Sequence, residues 1–227
     1  MEKVVGCCGG IRQNIGLHKC KKYIVGNTEY LKCDGSTLSV NDYPELAKFM
    51  DNSFDLPASK LYEEGYSEAT RKSGGVNLEL FQKACPNLLG GSADLTKSTQ
   101  AKGINGNNTK ETPLGRNICY GVREHAMGAI ANGITLYGGL RTFTGAFFVF
   151  SDYLKPAVRL AAIMRIPSLY FFSHDTVCVG EDGPTHQPVE QLAGLRTIPN
   201  LQVFRPSNLA EVKASYCWYL QNKKPTV

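Results

Sequence analysis

Ionisable side chains stand at four points along the latter part of this 227-residue chain: Asp94, Glu124, the pair His174-Asp175, and Arg205. Each follows a short apolar run that reads as a buried strand. In an open parallel sheet, ligands sit beyond the carboxyl ends of the strands, so charge in those places marks a site rather than a set of turns. The longest polar stretch, His174-Asp-Thr-Val-Cys-Val-Gly-Glu-Asp-Gly-Pro-Thr-His186-Gln-Pro, carries two imidazoles and three acids stiffened by Gly and Pro. Folding alone does not call for such a loop, and it reads as functional. Glu124 opens an expected helix, where the dipole favours an anion; with Arg123 beside it, it also fits an ordinary acidic first turn. Phe147, Phe150 and Tyr153 recur every three residues, which puts their rings on one face of an expected helix. Core packing is the ordinary explanation of such a stripe, and a cofactor wall is the other.

The elements that must position these groups follow from periodicity. Helical spacing is expected over residues 77–84, 124–137, 146–163, 189–195 and 209–220, the last capped by Ser207 or Asn208. Buried strands are expected over residues 86–90, 117–122, 168–172 and 201–204, and a polar loop over 96–113. Strands of continuous apolar character alternating with helices predict an α/β fold: an open, mainly parallel, doubly wound sheet with helices on both faces. Residues 1–67 have another texture, broken by Gly, Asn, Asp and Lys. Two short alternating runs there, Lys22-Tyr-Ile-Val and Glu29-Tyr-Leu-Lys, suggest a hairpin, and residues 43–50 suggest one amphipathic helix.

Composition excludes several classes. A chain that is 42% hydrophobic and 20% charged is neither disordered nor fibrous. A net charge of +5 with no Lys/Arg block gives nucleic acid no footprint. No run approaches the roughly 18 apolar residues of a membrane span. The amino terminus lacks the form of a secretory signal. The eight cysteines form no CxxC pair and read as reduced thiols of a cytoplasmic protein. Cys20 with His18 nearby is a weak candidate for metal binding.

From about residue 68 to 227 the chain resembles the pyrimidine-binding domain of transketolase, a thiamine-diphosphate enzyme. The resemblance is carried by Ala69-Thr-Arg-Lys-Ser-Gly, Gly90-Gly-Ser-Ala-Asp-Leu-Thr, Tyr120-Gly-Val-Arg-Glu-His-Ala-Met-Gly-Ala-Ile, Phe147-Phe-Val-Phe-Ser-Asp-Tyr and the whole His174–His186 loop continuing to Leu192. It implies transfer of a two-carbon ketol unit from a ketose phosphate to an aldose phosphate. It implies that Glu124 shares a proton with the aminopyrimidine ring, which needs a carboxyl group sheltered from water. Phe147, Phe150 and Tyr153 match aromatic positions that enclose that ring, and Asp94 matches a carboxylate near the thiazolium side. His186 and Asp182 match groups beside the donor sugar. Arg71, Ser98 and His174 match groups that hold the substrate phosphate, a task suited to the forked donors of arginine.

The resemblance also has gaps. The family binds Mg2+ or Ca2+ with the cofactor diphosphate through a Gly-Asp-Gly segment in another domain. The nearest text here, Cys33-Asp34-Gly35, lacks the first Gly, so no metal ligand is assigned to this chain. Residues 1–67 match nothing in the family, and Lys223-Lys-Pro-Thr-Val stops where a further buried strand would begin. Thr176 stands where Ser is common. The expectation is a module completed by a diphosphate-binding domain or subunit in a homo- or hetero-oligomer, and inactive as the isolated chain. The alternatives are a catalytically silent relative that acts only by association, or a different thiamine enzyme such as a 1-deoxyxylulose-5-phosphate synthase or the beta component of an oxo-acid dehydrogenase.

Overall fold

A computed structural model describes residues 22–25, 28–31, 68–222 and 224–227. The helix expected over residues 43–50, the Cys33-Asp34-Gly35 segment and the His18–Cys20 pair lie outside them. The chain divides into two compact units, one of Met1–Asn87, Gly138–Leu140 and Pro206–Lys223, the other of Leu88–Tyr137, Arg141–Arg205 and Lys224–Val227.

In the first unit, β1 (Lys22–Val25) pairs antiparallel with β2 (Thr28–Leu31), the hairpin its alternating runs suggest. Helix α1 (Thr70–Ala84) packs on α6 (Leu209–Gln221). The fully buried Phe81 ring lies 5.9 Å from that of Tyr216 and meets that of Tyr219 edge-on at 6.0 Å. Helix α1 begins well before the expected start at Asn77. Its first turns run through Gly74-Gly75, which lower helix propensity. Tertiary burial of Ser73 and Gly74 overrides that, and the Tyr216 hydroxyl donates to the Gly74 carbonyl at 3.2 Å. Helix α6 is capped as expected, with Asn208 Oδ1 accepting from Glu211 N at 3.0 Å. The Glu211 carboxylate in turn accepts from Ser207 N at 2.7 Å and from Ser207 Oγ at 3.0 Å, a reciprocal arrangement like a capping box. Those bonds hold the Glu211 carboxyl below its ordinary range.

The second unit is built on four parallel strands in the order β4 (Asn117–Cys119), β3 (Leu88–Ser92), β5 (Arg141–Phe147), β6 (Leu169–Ser173). Beyond β6 the sheet is extended by Thr226, bridged in parallel to both Leu169 and Gln202. Helices α3 (Glu124–Tyr137) and α4 (Ser151–Met164) pack on each other, and α3 on β5. The side chains between them include Met127, Ala146, Leu154, Val158, Ala161 and Tyr170. The other face, at Gly145, meets Thr99 and Ala101, at and beyond the end of the one-turn helix α2 (Thr96–Thr99). The expected α/β architecture is therefore present. A short α5 (Gln191–Arg196) completes the unit.

Strand β5 corrects the sequence reading, which assigns no strand between residues 138 and 147 and starts a helix at Ala146. Its seven residues are all buried, and they include two threonines, a glycine and Arg141. That polarity hides it from an apolarity count. Thr142 is satisfied locally, with Thr135 Oγ1 at 2.7 Å and the Ala131 carbonyl at 3.1 Å. The aromatic stripe is corrected with it. Phe147 ends the strand, Phe150 ends a 3₁₀ turn over Phe148–Phe150, and Tyr153 lies on α4, so the three do not share one helix. The polar loop expected over residues 96–113 likewise contains α2.

One buried polar group ties the helices to the sheet. Asn132 Oδ1, on α3, accepts from the Tyr170 hydroxyl at 2.5 Å and from Ser168 Oγ at 3.1 Å. Its Nδ2 donates to the Ala157 carbonyl on α4 at 2.9 Å.

Candidate functional site

Chain reversal at the sheet prepares a cleft. From β3 the chain passes outward to β4, and from β5 it passes the opposite way to β6. The crevice between β3 and β5 therefore opens at their carboxyl ends. A cavity of about 370 Å³ occupies that region, lined by Ala93, Asp94, Leu95, Val122, Glu124, Phe150 and Tyr153. Its walls come from the segments after β3, β4 and β5.

Each wall has a local cause. Within β3, a Cβ at Gly90 would overlap the Phe143 carbonyl, so only glycine lets these strands lie together. Beyond the strand, Ser92 Oγ donates to the Gly145 carbonyl at 2.8 Å and accepts from Leu95 N at 3.2 Å. Those two bonds to one hydroxyl fix the turn bearing Asp94, whose φ is +62°. Glu124 starts α3 and is buried, at 9% exposure. Its carboxylate has no hydrogen bond or ion pair among the described residues. Arg123 is not its partner; Arg123 Nη1 donates to the Tyr120 carbonyl at 3.1 Å. What steadies Glu124 is the helix N-terminus it opens. Tyr120, just before it, is buried with a hydroxyl that finds no partner among the described residues, and burial pushes its phenol well above the usual range.

The rings form a continuous row. Phe147 and Phe150 lie nearly parallel at 6.1 Å, and Phe150 lies 6.1 Å from Tyr153. His174 sits on the other side of Phe147 at 3.7 Å, and His186 meets Phe150 edge-on at 5.2 Å. Phe150 and Tyr153 are on the cavity wall, whereas Phe147 stands behind Phe150. Tyr153 is 64% exposed, so one side of the cleft is open.

The structure thus brings together Asp94, Glu124, the closely spaced Phe147, Phe150 and Tyr153, and the loop residues His174 and His186. Asp182, in a 3₁₀ turn over Gly180–Asp182, and Ser98, on α2, are exposed and are not on the cavity wall. Arg71 belongs to the first turn of α1 in the other unit. The sequence reading missed Leu95 and Val122 as wall residues; adjacency to Asp94 and Glu124 was the available signal. Among the described residues no group of three or more His, Cys, Asp or Glu could hold a metal ion. No helix there is long and apolar enough to cross a membrane.

An apolar cleft of this size, with two aromatic rings on its wall and a carboxylate that has no partner among the described residues, fits a flat heteroaromatic group that offers a polar edge. Comparison with known proteins agrees. Residues 67–227 match the family described as "Transketolase, pyrimidine binding domain". A transketolase of Halalkalibacterium halodurans is 50% identical over 194 residues, covering 81% of this chain and 29% of that protein. The transketolase of Pichia stipitis solved with sedoheptulose 7-phosphate superposes with a TM-score of 0.69 at 37% identity, over 82% of this chain and 30% of that one. A split-gene transketolase solved as an inactive β4 tetramer gives a TM-score of 0.55 at 27% identity, over 71% of this chain and 50% of that one. The chain spans less than a third of the length of the curated relatives it matches.

Proposed function

Because this chain belongs to the transketolase family through its pyrimidine-binding domain, we propose that it supplies the pyrimidine half of a thiamine-diphosphate site. In that site a two-carbon ketol unit moves from a ketose phosphate to an aldose phosphate. The observation that carries this reading is Glu124, 9% exposed, whose carboxylate has no partner among the described residues and stands on the wall of an aromatic cleft. Thiamine diphosphate, when bound, supplies the electron sink for breaking and making the carbon–carbon bond.

The side chains divide the remaining work. Glu124 would hold the proton shared with a pyrimidine ring nitrogen. Phe150 and Tyr153 stack on the ring and exclude water, and Phe147 backs Phe150. Asp94 lines the cavity and would stand near the thiazolium part of the cofactor. His186, edge-on to Phe150, moves or polarises a proton on the donor sugar, and Asp182 binds its hydroxyls. Ser98 and His174 hold the substrate phosphate.

The cofactor diphosphate and its Mg2+ or Ca2+ belong to a separate domain or subunit, in an oligomer acting in the cytoplasm. Exposed apolar side chains support such association: Ile130, Leu136 and Tyr137 on α3, and Leu160, Ile163 and Met164 on α4. A split-gene relative that is inactive as a β4 tetramer favours a module that is silent alone. Ketol transfer by the purified chain with cofactor and Mg2+ would overturn that part.

The central test is Glu124→Gln in the complemented enzyme. Turnover is expected to fall at least about a hundredfold, the range of general acid–base contributions, with the fold intact. Turnover near that of the unmodified enzyme would refute the proton-sharing role.

A further inference from the structure

We propose that Arg205 is a positioning residue that holds His174 over the aromatic row by gripping the residue beside it, Asp175. The importance of His174 to substrate rests on the reading above; how its ring is held does not.

His174 is the first residue after β6, and its backbone is left-handed, with φ +57°. A residue with a Cβ disfavours that conformation, so its surroundings must select it. The hydroxyl of one neighbour and the ring of another meet the imidazole. Nδ1 lies 2.9 Å from the hydroxyl of the buried Ser173, and the ring lies 3.7 Å from Phe147. A third acts on the chain. Arg205 Nε donates to Asp175 Oδ2 at 2.7 Å, and Nη2 donates to the Asp175 carbonyl at 3.2 Å. One planar guanidinium therefore takes both the side chain and the main chain of the next residue, which fixes the direction in which the chain leaves His174.

Arg205 has a firm base. Phe204 N donates to the Val227 carbonyl at 2.8 Å, and Gln202 N to the Pro225 carbonyl at 3.0 Å, so the guanidinium stands on the extension of the sheet. Downstream, the loop's hydrogen bonds are short-range, as in Cys178 N to Thr176 Oγ1 and His186 N to the Gly183 carbonyl. Its far end is tied by Gln191, which accepts from Val189 N at 2.9 Å and donates to Asp152 Oδ2, next to Tyr153, at 2.8 Å. The loop carrying both imidazoles is thus fastened to the sheet at one end and to α4 at the other. The Asp175–Arg205 tie is the one that adjoins His174. Lysine replaces it poorly, because its single ammonium lacks the planar fork that reaches carboxylate and carbonyl in one fixed geometry. Both side chains of the pair are exposed, so it is open to screening by salt.

The test reads histidine ring resonances of the full chain by 1H–13C correlation, without cofactor or sugar. With its ring 3.7 Å from that of Phe147 and tilted 31° to it, His174 should show ring protons upfield of those of the exposed His125. Arg205→Lys is expected to remove about half or more of that offset, leaving His125 and the Trp218 indole unmoved, because the fork is lost while the charge stays. About 1 M NaCl should move the unmodified chain the same way, which keeps the test open if the variant fails to fold. His174 resonances unmoved by both would overturn the proposal. In the assembled enzyme, Arg205→Lys should raise KM for the sugar phosphate about tenfold while kcat holds within about twofold. A fall in kcat at unchanged KM would also overturn it. The Glu124→Gln experiment does not involve His174, so a failure of the functional reading is scored separately from a failure here.

Discussion

Replacing Asn132 by Leu keeps roughly the same volume and removes three hydrogen bonds at once. The Tyr170 hydroxyl, Ser168 Oγ and the Ala157 carbonyl each lose this partner, and Tyr170, Ser168 and Ala157 are at most 1% exposed. At about 1 kcal/mol net for each bond, the variant should lose about 3 kcal/mol of stability, and more if the stranded groups cannot reach water. Tyr170→Phe, which removes one bond and leaves the asparagine its other partners, should cost about 1 kcal/mol. Urea denaturation followed by circular dichroism measures both. In the double variant the cost should be smaller than the sum, because the phenylalanine leaves no hydroxyl to strand. A loss below about 1 kcal/mol for Asn132→Leu would refute the account, since ordinary surface exchanges already reach half of that. The consequence extends to the site, because Asn132 joins α3, which carries Glu124, to α4, which carries Tyr153, and to β6, which leads into His174.

Two further outcomes follow from packing and titration. At Gly145 a Cβ would overlap Ala101 and press on Thr99. Gly145→Val should cost about 2 kcal/mol or more by overpacking, read as a lower urea midpoint. Burial raises the Tyr216 phenol above its ordinary value, so the folded state keeps a proton that the unfolded state loses. Its contribution is full below about pH 10 and declines above that by about 1.4 kcal/mol per pH unit. Tyr216→Phe loses the bond to the Gly74 carbonyl. It should therefore cost about 1 kcal/mol at neutral pH and flatten the alkaline decline. An unchanged slope above about pH 10 would count against burial as its cause.

The sequence by itself determined the features that depend on neighbours along the chain. Glu124–Tyr137 has its helical period, Asn208 and Glu211 mark where α6 begins, and the paired alternating runs of β1 and β2 form their hairpin. Asp94, Glu124 and His174 were legible as site positions because each follows an apolar run. Tertiary structure alone decided the rest. Strand β5 is polar enough to escape notice and exists because it is buried between β3 and β6, with Gly145 admitting the segment that crosses it. The first turns of α1 survive two glycines through burial and a hydroxyl 142 positions away. The rings of Phe147, Phe150 and Tyr153 align across a strand end, a 3₁₀ turn and a helix, an arrangement their spacing suggested for the wrong reason. Asp175 and Arg205, thirty positions apart, were visible as two charges after two expected strands, of which the second, over residues 201–204, is reduced to a single bridge at Gln202. Their pairing depends on Thr226, which bridges both Leu169 of β6 and Gln202 and so brings the segment before Arg205 near the end of β6; local periodicity does not encode proximity across a fold.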